Sequence, residues 1–136
     1  IFEDSPDVLF VSSHQMPLYP GSGSPSETGV GNVVNLPLAP GDGSDAFRAA
    51  WSDRGLPEVR RFDPDFILVS AGFDGHVRDP IANLELKDGD YAWITNEIRD
   101  IAEARCDGKI VSMLEGGYDL EALASASVAH VEALST

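Results

Sequence analysis

Cysteine is nearly absent from this chain of 136 residues: only Cys106 is present, so no internal disulfide can form, and no CxxC or Cys/His cluster surrounds it. That usage fits a reducing, cytoplasmic compartment, with Cys106 serving as a small apolar side chain. Basic residues are scarce as well, with nine Lys and Arg against 23 Asp and Glu, for a net charge of -14. Binding to nucleic acid draws on clustered Lys and Arg, and the densest basic spot is Arg60-Arg61 with Arg54 upstream, so no nucleic-acid partner is expected. No apolar run approaches the roughly 18 residues needed to cross a bilayer, and the opening IFEDSPD lacks the basic-then-apolar pattern of a secretory signal, so no membrane partner is expected. The negative field either favours cationic substrates or keeps the chain soluble through like-charge repulsion.

What is present reads as one globular domain over residues 1–136, with 43% hydrophobic residues. Four short β-rich runs, 8-VLFVSS-13, 33-VVNLPL-38, 66-FILVSA-71 and 110-IVSML-114, suit parallel strands buried on both faces. Helical spacing covers 45–55, after Ser44 as a cap, with Gly55 and Pro57 expected to end it. A second helix is expected from about Asp90 to Arg105, with Gly108 behind its end. A third follows Asp119 over 120–134, its apolar stripe being Leu120, Leu123, Ala124, Val128, Val131 and Leu134. Strands alternating with helices predict an α/β fold with a mainly parallel sheet. The segment 16-MPLYPGSGSPSETGVGN-32 is too rich in proline and glycine for a helix, and it is no phosphate cradle because no helix follows its glycines.

In open parallel sheets ligands bind beyond the carboxyl ends of the strands, which directs attention to His14, to Asp74 and His76, and to 115-EGGYD-119. A carboxylate and an imidazole there suit zinc or another divalent metal, and the Tyr118 hydroxyl suits an oxyanion. Each residue also has a structural reading. Asp74-x-His76 can be a polar loop, His14 a hydrogen-bonded strand-end residue and His130 a packing residue on the last helix. Glu115 can pair with an arginine or cap a helix, and Asp79 before Pro80 can make an ordinary turn.

The segments SSHQMPLYPGSG, VGNVVNLPLAPGDG, FDPDFILVSAGFDGHVRDP and LEGGYDL, in this order, resemble the histone deacetylase family of zinc-dependent amidohydrolases. The likeness is greatest to its class II and bacterial branch, and it covers the C-terminal part of the family's catalytic domain. It implies a three-layer α-β-α arrangement of the arginase/deacetylase fold. It also implies hydrolysis of the amide of an acetylated lysine or small acetylated amine. Asp74 is thereby implied as a zinc ligand and Tyr118 as the hydroxyl on the oxyanion. Gly116, Gly117 and Tyr19 match the wall of the substrate tunnel. Backbone carbonyls of Phe2, Ser5, Val8, Ser12 and Ser13 fall where the family holds potassium. His76 is implied to line or brace its loop.

The same resemblance implies that two further zinc ligands and a His-His dyad precede the segment matching residue 1, and that the strand carrying the ligands lies between those at 66–71 and 8–13. On this reading the isolated chain is inactive. It either pairs those two strands directly, recruits a second copy or a missing N-terminal part, or exposes apolar edges, and association is the expectation. Two alternatives stand beside it: a non-catalytic deacetylase-like interaction module, and an arginase-type metallohydrolase, although nothing in the chain reads D-x-H-x-D.

Overall fold

The computed structural model describes residues 1–136. Two parallel strand pairs form its centre. β1 (Phe10–Gln15) pairs with β2 (Val33–Leu38) in the register Phe10 to Val33 through Gln15 to Leu38. β3 (Ile67–Ala71) pairs with β4 (Ile110–Leu114) from Ile67–Ile110 to Ala71–Leu114. The two pairs are separate two-stranded sheets, and β1 does not hydrogen-bond to β3. The parallel α/β character expected from the apolar runs is present, and the sheet is split where the resemblance implied a gap. β1 begins two residues later than expected, which puts His14 inside the strand rather than after it.

Helix α1 (Ser44–Ala50) runs through a π-helical turn (Trp51–Gly55) into α2 (Leu56–Phe62). Gly55 and Pro57 therefore do not end the helix, contrary to the sequence expectation. The Leu56 N–H bonds to the Trp51 carbonyl five residues back, and Pro57 follows directly behind this wider turn, in the first turn of α2. Gly55 is present for close approach, since a Cβ there would lie 2.6 Å from the Trp51 ring and 2.9 Å from Leu36 Cδ1. Ser44 does not cap α1; its hydroxyl donates to Asp90 at 2.7 Å. Asp90 is fully buried and also accepts from Arg48 Nε at 2.8 Å and from the Lys87 N–H at 3.0 Å. Burial disfavours its charge, but these three donors together hold its carboxyl below the usual range. This joins α1 to the start of α3 (Asp88–Cys106).

The core gathers Val34, Leu36 and Leu38 of β2 with Phe47, Trp51, Leu56, Phe73, Leu86, Tyr91 and Ile101. Helix α4 (Leu120–Leu134) is capped by Asp119, whose side chain accepts from the Ala122 N–H at 2.7 Å. Its buried face is Ala122, Ala126, His130 and Ala133, while Leu120, Val128 and Val131 of the expected stripe are exposed. Small residues allow α4 to lie close on α3, and that contact outweighs the larger apolar side chains in choosing the face. His130 is buried as expected, with Nδ1 2.6 Å from Thr95 Oγ1 and Nε2 2.8 Å from Ser112 Oγ. No helix is long and apolar enough to cross a membrane.

Candidate active site

Parallel pairing does not stop at the ends of β3 and β4. The Glu115 N–H donates to the Ala71 carbonyl at 3.0 Å and the Phe73 N–H to the Gly116 carbonyl at 2.8 Å, so 72–74 and 115–117 run on side by side. This brings the Asp74 carboxylate against the Gly116 backbone, where an added Cβ would stand 2.8 Å from Asp74 Cγ and 2.9 Å from Oδ2. A Cβ on Gly72 would likewise lie 3.1 Å from Asp74 Oδ1. Asp74 is half-buried, and desolvation, with the charge of Asp79 adding to it, pushes its carboxyl above the usual range. A carboxylate so placed gains from a cation beside it.

Gly117 has φ +141, a conformation that L side chains rarely adopt, and a Cβ there would meet Leu123 Cδ1 at 2.9 Å and Phe73 Cβ at 3.2 Å. The turn presents Tyr118, whose ring is 58% exposed. The Tyr118 N–H donates to Asp79 Oδ2 at 2.7 Å. Asp74, Gly116, Gly117 and Tyr118 thus come together as the strand ends suggested. Tyr19 lies on the loop after β1 and is 94% exposed.

His76 is buried and turned toward α3. Its Nδ1 accepts from the Arg78 N–H at 3.2 Å, its Nε2 faces Asp88 Oδ1 at 3.3 Å, and its ring stacks on Tyr91. It braces the loop. His14 also has structural work, with Nδ1 3.0 Å from Ser12 Oγ and Nε2 donating to the Gly23 carbonyl at 2.9 Å. Glu115 accepts from Ser70 Oγ at 3.2 Å. No three His, Cys, Asp or Glu side chains anywhere in the chain gather as a metal site.

The carbonyls of Phe2, Ser5 and Val8 do converge, but on a side chain of the protein. Asn32 Nδ2 donates toward them at 2.7, 2.9 and 2.9 Å. An amide nitrogen occupies the point where a monovalent cation would sit, so these three carbonyls do not fit potassium while Asn32 holds this rotamer. Ser12 and Ser13 lie within β1. Neither Asn32 nor Asp79 was marked as important by the sequence. The run 30-VGN-32 before a strand and the pair Asp79-Pro80 look like ordinary turns, and beside one turn contact each, the partners of both side chains are some 24 to 40 residues away.

The family profile described as the histone deacetylase domain matches residues 1–134. A rice (Oryza sativa subsp. japonica) protein named "Histone deacetylase 10, chloroplastic" is 44% identical over 128 residues, covering 91% of this chain and 29% of that protein. An Archaeoglobus fulgidus protein named "Probable deacetylase" is 45% identical over 125 residues, 89% of this chain and 35% of that protein. The solved structure of the HDA15 HD domain superposes with a TM-score of 0.91 at 33% identity, covering 98% of this chain and 39% of that one. The chain belongs to the histone deacetylase family, and its α/β fold is that of the family's domains. It spans about a third of the length of the curated relatives it matches.

Proposed function

We propose that residues 1–136 are the C-terminal part of the catalytic domain of a zinc-dependent deacetylase of the class II and bacterial type, acting on an acetylated lysine or a small acetylated amine. The observation that carries this reading is the meeting of Asp74 and the Gly116–Tyr118 turn at the ends of two paired parallel strands in a member of this family. Asp74 supplies one zinc ligand. Bound zinc would polarise the amide carbonyl and acidify a water. No group of three ligands gathers within residues 1–136, so the remaining ligands would come from outside them. The part played by the chain's own residues is positional. Gly116 and Gly117, lacking side chains, leave room for an extended acylated chain, with Tyr19 as a further wall. The Tyr118 hydroxyl donates a hydrogen bond to the oxygen that becomes negative as the amide is attacked, which in comparable sites is worth about 10²–10³ in kcat.

The site as it stands in this chain is incomplete, and residues 1–136 alone are proposed to be inactive. The exposed edges of β1 and β3 are proposed to be covered by a further part of the domain or by a second copy. The compartment proposed is the cytoplasm, from the single Cys106, which is buried at the end of α3.

The test is zinc content by mass spectrometry after dialysis, measured on this chain and on the same gene product extended upstream. About one zinc per chain in the extended protein alone, lost on Asp74→Ala, is the expected result. Tight zinc in the short chain would replace the assignment of Asp74 as one member of a shared site. A second reading, a non-catalytic module, is favoured by the lack of any three-ligand group and would prevail if the extended protein also bound no zinc.

A further inference from the structure

Two glycines precede Tyr118, and one of them, Gly117, lies in the left-handed region, so local sterics leave the direction of the Tyr118 side chain weakly determined. Something from outside the turn has to set it. The Asp79 carboxylate is 7% exposed, and its three hydrogen bonds all come from backbone amides. Oδ1 accepts from the Ile81 N–H at 2.9 Å, an ordinary turn contact. Oδ2 reaches across 39 residues to the Tyr118 N–H at 2.7 Å and on to the Asp119 N–H at 3.4 Å. Arg78, beside it, pairs with Asp119 at 3.3 Å and Glu121 at 3.4 Å, a second tie between the same two loops. No basic side chain neutralises Asp79 itself; the ion pairs of the neighbourhood go to other carboxylates.

We propose that Asp79 is a positioning residue, which through its hydrogen bond to the Tyr118 N–H fixes the backbone from which the tyrosine hydroxyl is aimed at the substrate oxygen. The inference rests on the reading of Tyr118 given above. Asp79 acts through backbone amides alone. It ties the loop that carries Asp74 to the loop that carries Tyr118, so that the two functional groups keep one relative geometry. Displacement of a hydrogen-bond donor by even an ångström is costly to catalysis, which is why an anchor on the backbone of the donor residue has an effect on rate.

The experiment uses the full-length protein that contains these residues, with an acetyl-lysine peptide as substrate. Steady-state kinetics are measured for Asp79→Ala, Asp79→Asn, Tyr118→Phe and the double variants, together with zinc content. Asp79→Ala is expected to lower kcat at least tenfold with KM and zinc unchanged. Asp79→Asn, which keeps one acceptor oxygen, is expected to lower it less. Neither substitution should lower kcat further in the Tyr118→Phe background, because Asp79 acts only through the hydroxyl that is then gone. Effects that multiply in the double variants, unchanged kcat, or loss of zinc would each overturn the proposal. If Asp79→Ala does not fold, the Asp79→Asn pair of measurements decides in the same way. Full turnover by Tyr118→Phe alone would instead remove the reading on which the inference rests, and is told apart because it does not involve Asp79.

Discussion

Replacement of Gly116 by alanine tests whether the Asp74 carboxylate rests against this glycine. The new Cβ would stand 2.8 Å from Asp74 Cγ, short of ordinary contact by about 0.6 Å. Asp74 is half-buried, so a shift of its side chain away from the new methyl carries a packing cost. Backbone strain does not enter, since Gly116 is not among the glycines with positive φ. Overpacking of this kind costs about 1–3 kcal/mol, and the reduced freedom of the unfolded chain returns about 0.4–1 kcal/mol, so the net loss should be about 1–2 kcal/mol.

In an Asp74→Ala background the obstructing atoms are gone. There Gly116→Ala should be neutral or stabilising by up to about 1 kcal/mol, giving a coupling energy of about 2 kcal/mol. Asp74→Ala itself should cost little, because the fold already disfavours the ionised form of this carboxyl. The four chains are compared by urea denaturation, with free energies extrapolated to water and the m-value checked for constancy. Equal costs of Gly116→Ala in the two backgrounds, within about 0.5 kcal/mol, would refute the contact and with it the built geometry of the site.

His130 should make the protein sensitive to mild acid. Thr95 Oγ1 donates to the Tyr91 carbonyl at 2.6 Å, so it accepts from His130 Nδ1–H, and Nε2 accepts from Ser112; the folded imidazole is neutral, and burial holds its pKa below 6.5. Below pH 6.5 the unfolded chain takes up a proton that the folded one does not, so stability falls as pH drops, by at most about 1.4 kcal/mol per unit until the folded group titrates. The difference in unfolding free energy between wild type and His130→Gln should therefore shrink between pH 7.5 and 5.5, and a flat difference would contradict the tautomer and the network. Asn32→Gly should cost about 1–3 kcal/mol by removing the side-chain donor shared by three part-buried carbonyls, of which those of Phe2 and Ser5 keep a backbone N–H, and should make the melting temperature higher in potassium chloride than in tetramethylammonium chloride at equal ionic strength. A potassium preference already present in the wild type would show that the Asn32 amide does not hold that position.

The parts of the fold legible in the sequence are those governed by local pattern. The runs at 33–38 and 110–114 are strands with the expected bounds, and the helix after Asp119 spans 120–134, because apolar runs bounded by turn residues and a capping aspartate act within a few residues of themselves. Asp74 and Tyr118 stand out in the sequence because the ends of parallel strands are where such sheets bind ligands. What escaped depends on partners far along the chain. Gly55 reads as a helix stop, yet it is there to admit Trp51 and Leu36. Ala122, Ala126 and Ala133 of α4 lie outside the apolar stripe of Leu120, Leu123, Ala124, Val128, Val131 and Leu134, yet they are the buried ones. Asp79 and Asn32 resemble turn residues until their partners across the fold are seen.

One disagreement between pattern and structure carries information about the whole domain. FILVSA and IVSML are apolar on both alternations, the pattern of strands covered on both faces, as parallel strands nearly always are. In the structure β3 and β4 are covered on one face only: Ile67, Val69, Ile110 and Ser112 are half-buried, while Leu68, Val111 and Met113 are exposed, Leu68 to 65%. β2, by contrast, has Val34, Asn35, Leu36 and Leu38 all buried. A sequence selected for two covered faces but showing one accounts for the proposed association without appeal to the family. Leu68, Val111 and Met113 offer the apolar face that the proposed further part of the domain or second copy would cover.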